Sequence, residues 1–186
     1  AGTTTIIGNF SIAAQLSGCK TIVLDCNFRR PCLASMFGFD DDASGVADLL
    51  VDGASISSCI QTTESGVDVI PAGSPPNRLS ERLGSEKMKS VLAELRNSYD
   101  LVLIDAPPSI VAGDALLLAN LVDALTLVVH SDRDERGLVA RVLRELGESR
   151  AEVLGIMLNA AVGTVGGYFR KNYLAMVSYS DTEEDD

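Results

Sequence analysis

Two aspartates close two short apolar runs in this chain, Thr21-Ile-Val-Leu-Asp25 and Leu101-Val-Leu-Ile-Asp105. One acid at the end of a buried strand is often a turn former. Two of them, each behind an apolar lead of the same type, point to a shared site for phosphate and a metal ion. The chain opens Ala1-Gly2-Thr3-Thr4-Thr5 ahead of a helical pattern. That places a glycine and three hydroxyls at a helix start, where free N–H groups and the positive end of the dipole suit an anion. Threonine is also a good N-cap, so this segment alone says little about a ligand. A third polar strand end is Asn159, which closes the run Val-Leu-Gly-Ile-Met-Leu-Asn at 153–159.

The elements that must carry these residues follow from hydrophobic pattern. Apolar runs at 21–25, 67–71, 101–105, 124–130 and 153–159 alternate with longer stretches of helical spacing. Four of the five runs are nearly continuous, as expected for strands buried on both faces of a parallel sheet. Between them, Ile6, Phe10, Ala13 and Ala14 predict one helical stripe. Met88, Val91, Leu92 and Leu95 predict a second, and Leu138, Val142, Leu143 and Leu146 a third. Strand–helix alternation predicts a doubly wound α/β domain, with a mainly parallel sheet and helices on both faces. Ligands of such sheets sit at the carboxyl ends of the strands, where Asp25, Asp105 and Asn159 fall. The pattern fades after about residue 162, which predicts a domain over 1–162 and a flexible, acidic, tyrosine-containing tail over 163–186.

Composition narrows the function. The 186 residues are 46% hydrophobic and 22% charged, with a formal net charge of -11. Five acids in the last six positions account for part of this, and the remaining body carries -6. An acidic chain is a poor nucleic-acid binder, because phosphate contacts need a basic face. Cys19, Cys26, Cys32 and Cys59 form no CxxC pair, and His130 is the only histidine, so a zinc cluster is not expected. Four reduced thiols in a cytoplasmic protein are expected instead. No run approaches ~18 unbroken apolar residues.

Read in order, Gly2-Thr3-Thr4-Thr5, Thr21-Ile-Val-Leu-Asp-Cys-Asn-Phe-Arg-Arg-Pro31, Val67-Asp-Val-Ile-Pro-Ala-Gly-Ser-Pro-Pro-Asn77, Ser98-Tyr-Asp-Leu-Val-Leu-Ile-Asp-Ala-Pro-Pro108 and 153–159 resemble the bacterial tyrosine kinases of capsule and exopolysaccharide assembly, within the MinD/ParA-like P-loop ATPases. The resemblance runs from about Gly2 to Asn159. It implies ATP or ADP with Mg²⁺ as cofactors and a P-loop NTPase-like fold, with the first strand and the start of the P-loop missing from the chain. An unfilled central position in the sheet would leave backbone groups of two strands unpaired. A gapless count puts Gly2 on the P-loop glycine, Thr3 on its lysine, Thr4 on the metal-binding hydroxyl and Thr5 on the next threonine; a one-residue shift would put Gly2 on the lysine instead, and neither register supplies a lysine. The family pattern Asp-x-Asp-x-Arg becomes Asp25-Cys26-Asn27-Phe28-Arg29, with an amide at the second carboxylate. The resemblance assigns catalytic roles to Asp25, Asn27 and Asp105, and metal contacts to Thr4, Asp25 and Asp105. It assigns nucleotide contacts to Gly2, Thr3, Thr4, Thr5, Arg29 and Asn159, the last reading adenine.

Two departures fall on charges at the chemistry. Threonine at position 3 offers a hydrogen bond to phosphate but no positive charge, and Asn27 cannot take a proton at neutral pH. The expected protein is thus a kinase-like domain with impaired phosphoryl transfer, acting as a nucleotide sensor or a scaffold. The alternatives are an active autokinase that modifies Tyr168, Tyr173 or Tyr179, and a MinD/ParA-type ATPase. The resemblance further implies a membrane chain-length or co-polymerase partner, or a fused upstream membrane region. It places the domain at the inner face of the membrane, with a homo-oligomer as a further expectation.

Overall fold

The computed structural model describes residues 2–40, 42–51, 53–74, 79–108 and 113–161. Tyr168, Tyr173, Tyr179 and the predicted tail lie outside them. The strands are β1 Thr21–Asp25, β2 Gln61–Thr62, β3 Asp68–Ile70, β4 Leu101–Asp105, β5 Ala124–His130 and β6 Glu152–Asn159. The helices are α1 Thr3–Leu16, α2 Leu33–Phe37, α3 Val46–Val51, α4 Ile56–Cys59, α5 Glu86–Ser98, α6 Asp114–Ala119 and α7 Arg136–Gly147, with a 3-10 helix over Leu79–Gly84.

β1 lies inside the sheet because its apolar middle, Ile22-Val-Leu24, can be covered on both faces. It pairs in parallel with β3 on one flank and β4 on the other, while the short β2 adds antiparallel to β3. Ile22 and Leu24 face a core built with Ile70, Leu49, Leu83, Met88 and Leu95. Val23 faces the opposite layer with Leu33, Val67 and Val69, and Ile7, Ile12 and Phe37 pack against it. Helices therefore cover both faces of this sheet, as the apolar runs predict. Each fully buried aliphatic side chain here is worth about 1.5–3 kcal/mol over exposure.

The expected mainly parallel arrangement is divided, among the described residues, into a four-stranded sheet β2-β3-β1-β4 and a parallel pair β5-β6. Two expectations need correction. Strands of similar composition differ in burial: β1 is closed to solvent, β4 is half-buried over Leu101–Ile104, and in β6 Leu154, Ile156 and Leu158 are exposed. On α1, Phe10 is 52% exposed, and the face turned inward carries Gly8 and Ser11. Gly8 allows Met36 of α2 to approach closely, with the methionine methyl within 2.3 Å of where a Cβ would stand. The packed face therefore carries Ile7, Gly8, Ser11 and Ile12, next to the predicted stripe rather than on it.

The amino ends of the strands are held by a polar cluster. The Tyr99 hydroxyl donates to Asp68 at 2.7 Å, and the Thr62 hydroxyl donates to the other oxygen of the same carboxylate at 2.6 Å. The Lys20 ammonium lies 4.5 Å from the centre of the Tyr99 ring and donates to the Ser98 carbonyl. Burial, then the Asp68 hydrogen bond and charge, push the Tyr99 phenol up to about 12. Replacing Tyr99 by Phe removes a bond to a carboxylate and should cost about 1–2 kcal/mol in urea unfolding. A loss too small to measure would show that Asp68 gains nothing from the phenol.

Candidate nucleotide site

The two carboxylates of the sequence pattern meet at the carboxyl edge of the larger sheet. Asp25 and Asp105 are direct partners in the β1–β4 register, and the Cys26 N–H donates to the Asp105 carbonyl at 2.9 Å. Both residues are buried, at 0% and 1% exposure. Burial of two acids side by side is costly unless each is compensated, and the compensation differs. Asp25 accepts the N–H of Asn27 on one oxygen at 3.0 Å, and those of Cys32 and Leu33 on the other at 3.1 Å each. Its carboxylate thereby shapes the loop between β1 and α2. Burial still holds its pKa above the ordinary range, against the pull of those three N–H groups.

Asp105 has one bond. The Thr4 hydroxyl donates to its Oδ2 at 2.5 Å, tying the first turn of α1 to the end of β4. Its Oδ1 is buried with no hydrogen-bond partner among the described residues, and so is Oδ1 of Asn27. Burial and the neighbouring Asp25 charge raise Asp105 to about 6, with the Thr4 bond opposing.

Gly2 precedes α1 at φ 80°, a left-handed conformation that glycine adopts without strain. A Cβ there would stand 2.4 Å from the Asn159 amide nitrogen, so the end of β6 lies against the start of α1. Asn159 also accepts the Ala160 N–H through its side-chain oxygen. Thr3 and Thr4 are half-buried at the helix start, whereas Thr5 is exposed. Gly2, Thr4, Asp25, Asn27, Asp105 and Asn159 are thus brought to one end of the molecule. Arg29 is more than half exposed and lies 3.8 Å from the nearly buried Asp114 carboxylate. Sequence reasoning missed Asp114. Its signal was an acid directly after Gly113, opening the apolar stretch of α6.

Among the described residues, no group of three or more His, Cys, Asp and Glu side chains could hold a metal by itself. Two buried oxygens without donors, a hydroxyl–carboxylate pair and the N-terminus of a 14-residue helix fit a hydrated Mg²⁺ that shares its coordination with phosphate oxygens. The residues present therefore fit the cofactor pair expected from the sequence.

This sheet, with its phosphate-type helix start and paired strand-end acids, defines a P-loop NTPase-like α/β domain. The chain belongs to the AAA_31 family, described as an AAA domain, whose profile matches residues 1–140. It is 28% identical to the tyrosine-protein kinase YwqD of Bacillus subtilis over 159 residues, 85% of this chain and 67% of that protein. It is 27% identical to the tyrosine-protein kinase wzc of Salmonella typhi over 183 residues, which is 98% of this chain but 25% of that protein. Among solved structures, the VpsO kinase domain superposes with a TM-score of 0.80 at 33% identity, covering 85% of this chain and 78% of that one. The cell division ATPase MinD of Pyrococcus furiosus gives 0.71 at 25% identity, covering 84% and 66%. The bacterial tyrosine kinases within the MinD/ParA-like fold are therefore this chain's relatives, as its motifs suggest. A cobyrinic acid a,c-diamide synthase with bound ADP and magnesium shares the fold, with a TM-score of 0.70 at 21% identity.

The Asp105 shift has a testable sign. A carboxyl with a folded pKa of about 6 and an unfolded value of 3.8 binds its proton more tightly when folded. Its contribution to stability is complete below pH 4 and is lost as pH rises through 6. At about 1.4 kcal/mol per unit, the loss is on the order of 2–3 kcal/mol. Asp105→Asn should flatten the stability curve between pH 4 and 6.5 in metal-free buffer, followed by urea titrations at each pH. An unchanged slope would place the titration elsewhere.

Proposed function

We propose that this chain is a tyrosine-kinase-like domain of capsule or exopolysaccharide assembly that binds a nucleotide with Mg²⁺ and has impaired phosphoryl transfer, so that it acts as a nucleotide-responsive regulator. The observation that carries the reading is the pairing of a retained half with a lost half. Thr4 and Asp105 remain bonded to each other, with a free buried oxygen on the acid. Position 3 carries no cation and position 27 no carboxylate.

In this reading the N–H groups opening α1 receive phosphate oxygens, with Gly2 keeping the approach clear. Thr4 and Asp105 would hold the cation, through the hydroxyl and through water. Asp25 positions the loop carrying Asn27, Arg29 and Cys32, since its oxygens already serve three N–H groups. Asn159, at the end of β6, would contact the base through its side chain. Bound Mg²⁺ supplies charge neutralisation on the phosphates. Asn27 presents an acceptor oxygen but cannot remove a proton from a substrate hydroxyl. Thr3 cannot replace a point charge, and one preorganised electrostatic contact is typically worth ~10²–10³ in rate.

The relatives support the kinase-like reading, and they bear on partners too. The chain spans about two thirds of YwqD but about a quarter of wzc, so in wzc the matched domain is one part of a longer protein. A membrane co-polymerase partner or fused membrane segment fits that pattern, as does a place at the inner face of the membrane. No helix of the described residues is long and apolar enough to cross a bilayer. Division into a domain over 1–162 and a tyrosine-bearing tail, and assembly into a homo-oligomer, belong to the same proposal.

Calorimetry with Mg-ADP should show saturable binding, and incubation with Mg-ATP should leave Tyr168, Tyr173 and Tyr179 unmodified by mass spectrometry. Thr3→Lys combined with Asn27→Asp should raise phosphate transfer by on the order of 10² or more. Transfer by the unaltered chain at ~1 per second, within the ordinary kinase range, would make it an active kinase. Absence of any Mg-nucleotide binding would leave only a scaffold.

A further inference from the structure

Among the described residues, Ala160 is the single non-glycine residue with a left-handed backbone, at φ 53°. In that region the Cβ crowds the carbonyl oxygen, so alanine adopts it only where its surroundings hold it there. Ala160 directly follows Asn159, the last residue of β6. The strain therefore falls beside the amide that the proposed nucleotide site draws from the β5–β6 pair.

Three hydrogen bonds hold this turn. The Asn159 side-chain oxygen accepts the Ala160 N–H at 2.9 Å. The Ser131 hydroxyl donates to the Ala160 carbonyl at 2.6 Å, and the Ser131 N–H donates to the Asn159 carbonyl at 3.0 Å. The first bond turns the amide oxygen toward the backbone and places the amide nitrogen beside Gly2. The other two tie consecutive carbonyls to one residue, Ser131, which directly follows β5. A serine hydroxyl has one proton to give. The Ser131 oxygen also lies 3.3 Å from Asp132 Oδ1, but the shorter contact to Ala160 takes the proton. Ser131 is itself framed by a reciprocal pair. The His130 N–H donates to the Asp134 carboxylate at 2.7 Å, and the His130 carbonyl accepts the Asp134 N–H at 3.1 Å.

We propose that Ser131 is a positioning residue of the nucleotide site: it holds the strained Asn159–Ala160 turn and so fixes the direction in which the Asn159 amide meets the base. This rests on the nucleotide-binding reading above and adds to it the residue on which base affinity depends. The arrangement divides the site in two. Phosphates and cation draw on the start of α1, Thr4 and Asp105, whereas the base draws on Asn159 and, behind it, Ser131. Without the Ser131 hydroxyl the Ala160 carbonyl loses its donor, and the alanine relaxes out of the left-handed region. That movement takes the Ala160 N–H away from the amide oxygen. The base then meets an amide with no fixed direction, so affinity falls for ligands that carry a base and not for bare phosphates.

Calorimetry with Mg-ADP and with Mg-pyrophosphate tests this on the 186-residue chain and its variants. Ser131→Ala should weaken Mg-ADP about five- to tenfold, the range of one lost hydrogen bond, and leave Mg-pyrophosphate within about twofold. Ser131→Thr keeps the hydroxyl and should bind both ligands as the unaltered chain does. Glycine needs no clamp in the left-handed region, so Ala160→Gly added to Ser131→Ala should recover most of the lost Mg-ADP affinity. Added to Asn159→Ala, Ser131→Ala should cost nothing further. In the ligand-free chain, hydrogen exchange at the Ala160 amide should quicken in Ser131→Ala. The inference is overturned if Ser131→Ala weakens both ligands alike, as a general loss of folding would, or weakens neither. It is also overturned if the loss persists in full with Ala160→Gly. Failure of the unaltered chain to bind Mg-ADP would overturn the nucleotide reading and this inference with it. Binding by the unaltered chain with no split between the ligands in Ser131→Ala would overturn this inference alone.

Discussion

Asp25 and Asp105 occupy one rung of a buried parallel ladder, and much of the surrounding structure follows from making that rung tolerable. Two adjacent acids out of water need donors or a cation. Asp25 obtains three backbone N–H groups, which requires the loop after β1 to turn back so that Asn27, Cys32 and Leu33 point inward. Asp105 obtains a threonine hydroxyl, which fixes where α1 begins. The start of α1 and the loop after β1 are thus placed by the same pair of carboxylates. The difference in compensation also separates their roles. Asp25 is spent on the protein, while Asp105 keeps an oxygen with no donor.

The electrostatics of the site follow from what flanks that rung. With threonine at position 3 and an amide at position 27, the side chains there bring two acids and no lysine. Arg29 is engaged by Asp114 and largely exposed to water, which screens it. A nucleotide adds further negative charge, and the N-terminal dipole of α1 offsets only about half a unit of it. Bound anion and bound cation must therefore arrive together for the balance to hold. Under the proposed function, such a site would favour Mg-nucleotide over free nucleotide more sharply than one with its own lysine, which would suit a sensor better than a catalyst, whose transition state needs fixed positive charge near the transferring group.

The sequence pattern predicted β1, β4 and β5 to the residue, because continuous apolar runs closed by Asp or His have few alternative readings. The paired acids were legible for the same reason. Short elements were not: β2 is two residues long, and α2, α3 and α4 are four to six, too short for periodicity to register. The packed face of α1 was displaced from the predicted stripe Ile6, Phe10, Ala13 and Ala14, because Ile7 and Ile12 pack on the core while Gly8 lets α2 approach. The half-exposure of β4 could not be read from its composition at all, since it depends on whether a neighbour lies on its second flank. Asp114 escaped notice because its partner, Arg29, is 85 residues away in sequence and meets it only through the fold.

The site draws its groups from both the four-stranded sheet and the β5–β6 pair, and α6 packs against both. Thr4 and Asp105 join α1 to the larger sheet, whereas Asn159 comes from the β5–β6 pair. Leu118 of α6 is buried in the core of the larger sheet with Leu83 and Leu92, Leu121 packs against it, and Arg29–Asp114 and Arg96–Asp123 add ion pairs between the two parts. An exposed ion pair such as Arg96–Asp123 contributes ~0–1 kcal/mol, far less than a continuous ladder of buried backbone bonds. A ligand touching both Asp105 and Asn159 would add a further link at the carboxyl edge, and its binding energy would be shared with closing the two halves. Under the proposed reading the coupling would run both ways: a ligand that bridges Asp105 and Asn159 would steady the junction, and a steadier junction would lower the cost of ordering the site.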